Sequence, residues 1–123
     1  MSQDFWPANE ISARVRIISD NDYAGDPDGL FQLAHQVLSP ASDVVCLLAT
    51  PHAPFVNDPS ADMCADAEKI ARETLELCGR ADIPVHRGTD TKMVDRTTPI
   101  DTPAARAIIA EAMREDTKLP LYV

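Results

Sequence analysis

The order of apolar segments predicts an α/β fold: a three-layer domain with a mainly parallel sheet and helices on both faces. Three observations carry that expectation. Short strand-like runs alternate with helical patterns three times and end on a fourth run, the alternation that right-handed crossovers between parallel strands produce. The run Asp43–Thr50, DVVCLLAT, is almost continuously apolar, as a strand covered on both faces should be. The first run opens into a loop dense in carboxylates, and open parallel sheets take ligands beyond the carboxyl ends of their strands.

Each element has its own warrant. Arg14–Ser19, RVRIIS, is short and β-branched and reads as the first strand. Leu30, Leu33, Ala34, Val37 and Leu38 follow at helical spacing, and Ser39-Pro40 stops that helix. Pro51–Ser60 holds three prolines and reads as a loop. A long helix is expected from about Ala61 to Cys78, with Gly79 just past its end in the position where a left-handed residue closes a helix. Ile83–Gly88, IPVHRG, is the third strand, and Lys92–Thr102 a polar loop. TPAARAIIAEAMRE, from Thr102, combines a capping threonine, proline in the first turn and a helical apolar face. Leu119–Val123 begins a fourth strand, after which the fold is expected to be cut short. Residues 1–13 read as an irregular arm in which Phe5 and Trp6 find packing partners, and 14–123 as one domain.

Composition narrows the function. With 20 acidic against 11 basic side chains and a net charge of −9, the chain lacks the basic footprint of a nucleic-acid binder. No apolar run reaches the length of a membrane span and no signal pattern opens the chain. Cys46, Cys64 and Cys78 have no metal-ligand spacing, and free thiols point to a cytoplasmic protein.

The chemistry concentrates in ISDNDYAGDPDGL, Ile18–Leu30, where Asp20, Asp22, Asp26 and Asp28 fall within nine residues. Carboxylates this close oppose one another's ionisation unless a cation neutralises them. Hard divalent ions favour such oxygen donors, and a carboxylate beside one can deprotonate water. Thr50–Phe55 and His86–Asp90 are expected to join this loop on the same rim.

A strand ending in Asp-x-Asp, then a glycine turn, then an acidic pair opening an apolar helix resembles the N-terminal signature of the inosine–uridine nucleoside hydrolases, D-x-D-P-G-x-D-D. Here it reads DNDYAGDPDG, followed by LFQLAHQVLSP, VVCLLAT, IPVHRG and finally ARAIIAEAMRE and PLYV, so the likeness runs over roughly 14–123. The resemblance implies a nucleoside hydrolase-like fold and calcium-assisted hydrolysis of the N-glycosidic bond of ribonucleosides. It puts Asp20 and Asp22 at the metal, and Asp26 and Asp28 as base and further calcium ligand. The turn is one residue longer than in the family. Either Asp28 is the base and Gly29 replaces a ligand, or Asp26 is the base and Asp28 the ligand. The second assignment is preferred because it leaves the metal a carboxylate. The family's Gly-Gly-Asn turn is absent, and His52 is the candidate to take over its ribose contact. The family's remaining ligands and its leaving-group acid belong to a later half, so a fragment of low activity is expected. The rival is a non-catalytic acidic domain that binds a divalent cation or a protein partner along an open sheet edge; self-association into a homo-oligomer is expected along that edge. An acidic turn without metal, an EF-hand loop and a haloacid-dehalogenase-type phosphatase also use parts of this pattern. An EF-hand loop would need a glutamate where Phe31 stands.

Overall fold

The computed structural model describes residues 11–52, 58 and 60–123. Phe5 and Trp6 of the expected arm, and part of the Pro51–Ser60 loop, lie outside those residues. Among the described residues seven elements follow one another: β1 (Val15–Asn21), α1 (Asp28–Leu38), β2 (Ser42–Ala49), α2 (Met63–Leu77), β3 (Val85–Arg87), α3 (Pro103–Ala112) and β4 (Leu121–Tyr122). The fold is α/β, with a four-stranded, all-parallel sheet in the order β3-β2-β1-β4.

The boundaries correct the sequence reading in one consequential place. β1 runs two residues past Ser19, so Asp20 and Asn21 belong to the strand and not to the loop. Successive strand side chains point to opposite faces, which separates these two neighbours. β2 lies one residue earlier than expected, β3 and β4 are shorter, and β4 pairs only Leu121 and Tyr122 with Arg16 and Ile17.

Alternation builds two unequal cores. Val44, Leu47 and Ala49 of β2 pack with Leu33 and Val37 of α1 and with Ala67, Ala71 and Leu75 of α2. On the opposite face Cys46 and Leu48 join Ile18 of β1 and Ala104 of α3. The register slips once, with Ile17 opposite Val44 and Ile18 opposite Cys46. Val45 is thus the extra residue of a bulge, and it packs on the α3 side beside Cys46.

The helix ends follow their chemistry. Thr102 accepts from the Ala105 amide at 3.0 Å ahead of Pro103, and Asp62 accepts from Ala65 at 3.2 Å. α2 closes with Gly79 at φ +70°, where the Arg80 amide donates to the Leu75 carbonyl and Gly79 to Glu76. Glu111 of α3 is mostly buried, paired with Arg16 of β1. That guanidinium also donates to the Leu119 carbonyl at 3.1 Å and the Glu111 carbonyl at 3.2 Å, tying β1, α3 and the approach to β4 together. Among the described residues no helix is long and apolar enough to cross a membrane.

Candidate functional site

Beyond the carboxyl ends of the strands lies a cleft of about 450 Å3 between the sheet rim and the first turn of α3. β1 contributes Asp20, β2 leads into Thr50 and Pro51, and β3 into Gly88 and Thr89. Met93, Pro99 and Ile100 of the following loop, with Ala104, Ala105 and Ile108 of α3, supply apolar walls. Among the described residues, Asp20 is the one charged side chain in this lining. It stands on the α3 face of β1 because Arg16 and Ile18, two and four residues earlier, do so as well.

The Asp20 carboxyl keeps access to solvent at the cleft mouth, yet enough protein packs around it to raise its pKa by desolvation. The Thr50 side chain beside the carboxylate partly offsets that rise. A carboxylate with this balance, set in a cleft, is suited to accept a proton from water or to face developing positive charge.

The other candidates diverge from it. Asn21, on the opposite face, lies against α1: its amide donates to Gln32 at 2.8 Å, and a Cβ on Gly29 would sit 3.0 Å from that amide nitrogen. Asp22 is half-buried, and its carbonyl accepts from the Gly25 amide at 2.7 Å to close a tight turn. Its carboxylate folds back over that turn, 2.8 Å from where a Cβ on residue 25 would be, so a side chain there would have to push the carboxylate aside. Asp26 and Asp28 are exposed; Asp28 opens α1, where its charge suits the helix N-terminus, and it accepts from the Gly29 amide at 2.9 Å. His52 is half-buried just past β2, outside the cleft lining. Asp90, from the third rim loop, accepts from the Cys64 amide at 3.0 Å and so serves the start of α2.

Tyr23, a residue the sequence reading passed over, explains the divergence. It interrupts the acidic run and is buried in the core beneath α1, where its hydroxyl donates to Ser19 at 2.9 Å. The signal was available: one aromatic among aspartates anchors a turn from within. Thr50 was equally legible as the polar residue that follows an apolar strand, but its place beside Asp20 was not.

These placements bear on calcium. Among the described residues no three His, Cys, Asp or Glu side chains come together to hold a metal ion. The donor set does not form the carboxylate cage expected for the loop, and any ion there would depend on carbonyls and water for most of its shell. A second groove of about 470 Å3, between α3 and β2–β3, holds Arg106 and Glu111, but both are already ion-paired, with Asp101 and Arg16. No family profile, curated protein sequence or solved structure matches this chain.

Proposed function

We propose that this chain carries the strand-tip site of a nucleoside hydrolase-like enzyme, which cleaves the N-glycosidic bond of ribonucleosides by carboxylate-assisted attack of water. The observation that carries the reading is Asp20: a partly desolvated carboxylate in a cleft beyond the carboxyl ends of parallel strands. Cleavage of such a bond develops oxocarbenium-like charge on the sugar. A carboxylate beside it stabilises that charge and can take the proton of the attacking water, more readily when its pKa is raised toward the working pH. Met93, Ile100 and Ile108 offer an apolar wall to the rest of the ligand.

The resemblance assigns the base to Asp26 or Asp28; the cleft geometry favours Asp20 for the carboxylate that meets substrate. Calcium stays in the proposal only as an ion bound weakly at the loop. By the same resemblance part of the family's site lies in sequence these 123 residues do not contain, so turnover by the chain alone is expected to be low. The test is release of free ribose from inosine or uridine, with and without millimolar calcium, by the purified chain and its Asp20→Asn, Asp26→Asn and Asp28→Asn variants. Loss of ribose release in Asp20→Asn with retention in the other two supports the reading. No release under any condition overturns it.

A further inference from the structure

We propose that Asn21 is the positioning residue for Asp20: its side chain clamps the tip of β1 to α1 on the closed face, so that the preceding carboxylate is held toward the cleft on the other. The inference rests on the reading that Asp20 serves this cleft. Asp20 and Asn21 are consecutive strand residues on opposite faces, so whatever fixes one side chain also fixes the backbone from which the other projects. Three hydrogen bonds hold Asn21. Its side-chain oxygen accepts from the Asp22 amide at 2.9 Å, and its side-chain nitrogen donates to Gln32 of α1 at 2.8 Å. Its carbonyl accepts from the Thr50 amide at 3.2 Å, which joins the tips of β1 and β2 one residue beyond Asp20. Gly29 is what lets the side chain reach the helix. A Cβ there would lie 3.0 Å from the side-chain nitrogen, 3.2 Å from Cγ and 3.3 Å from Oδ1. A larger residue at 29 would have to displace an amide group that is held at both ends. Element ends without such an anchor fray, because few bonds oppose their opening. Here the last residue of β1 is tied to a helix, a turn and the neighbouring strand at once.

Asn21→Ala removes both side-chain bonds, and Gln32→Ala, at an exposed position of α1, removes only the tie to the helix. The readout is the pH titration of the Asp20 side-chain carboxyl carbon in the full chain, assigned by its loss in Asp20→Asn. Burial holds the Asp20 pKa above its ordinary value, so a carboxyl released into water titrates lower. No other charged side chain among the described residues lines the cleft, so the midpoint reports the exposure of Asp20 itself. The expected result is a midpoint that falls toward the ordinary carboxylate value in Asn21→Ala, and falls by less in Gln32→Ala. A purely structural role would lower the melting temperature and leave the midpoint in place. An unmoved midpoint in either folded variant overturns the inference, and if Asn21→Ala fails to fold, Gln32→Ala decides. The titration needs no substrate, so absent ribose release would sink the proposed function and leave the role of Asn21 to be decided by the spectrum.

Discussion

The two faces of the sheet differ in how they are covered. On one, α1 and α2 bring Leu33, Val37, Ala67, Ala71 and Leu75 against β2, all of them buried. On the other, α3 buries only Ala104 completely and leaves Ile109 and Met113 exposed, although the helix is apolar nearly all round. The closed face carries the packing. The sparsely covered face carries the cleft and the carboxylate that emerges into it. A site needs room and access, and the face with the thinner core provides both.

The largest expected effect tests this contrast directly. Leu47 is fully buried on the closed face, and Leu47→Ala should cost about 3 kcal/mol in denaturant unfolding. Ile108→Ala, on the half-covered α3, should cost roughly 1 kcal/mol because less area leaves water there. Equal losses would break the comparison.

The α3 face is held instead by a charge pair. Arg16→Met leaves the mostly buried Glu111 with only the half-exposed Arg114 as its partner and should cost about 2 kcal/mol. Adding Glu111→Leu should recover most of that loss, since an apolar pair of similar size has no charge to desolvate. A single substitution without effect on the melting temperature would mean that α3 is anchored by apolar contact alone.

Tyr23→Phe removes the hydroxyl that donates to Ser19 while the ring stays packed, at a cost of about 1 kcal/mol. Amide exchange should quicken first in the Asp22–Gly25 turn. If exchange rises evenly over the closed face instead, the tyrosine supports the core and not the loop.

The smallest effect has a definite sign. Burial raises the Asp20 pKa in the folded state, so folding favours its protonated form. The resulting penalty is absent below the unfolded carboxylate range and grows as pH rises through the folded value. Asp20→Asn should therefore raise the melting temperature slightly at neutral pH and lose that gain in acid. A loss of stability at neutral pH would show that the charged carboxylate is favoured where it stands.

Much of this was legible in the chain. The alternating runs, the two-sided character of DVVCLLAT, the proline-led α3 and the glycine after α2 each follow from local rules, because caps, turns and periodicity act over a few residues. The rim placement of the first loop followed from parallel topology. The loop's internal arrangement did not. Four aspartates in nine residues suggest convergence, but spacing cannot tell how far the strand runs, and two further residues of β1 send Asp20 and Asn21 to opposite sides. Nothing near Glu111 in the chain marks it as buried, because Arg16, which draws it onto the sheet, stands 95 positions away.

By itself, then, the sequence determined the class of fold, the order of its elements and the edge of the sheet where polar groups gather. Only the tertiary structure decided which carboxylate enters the cleft, that Asn21 beside it is tied to α1, and that Tyr23 pins the turn from below. The physical reason is range: propensity and patterning are properties of neighbours along the chain, whereas desolvation and side-chain pairing depend on groups that folding alone brings together.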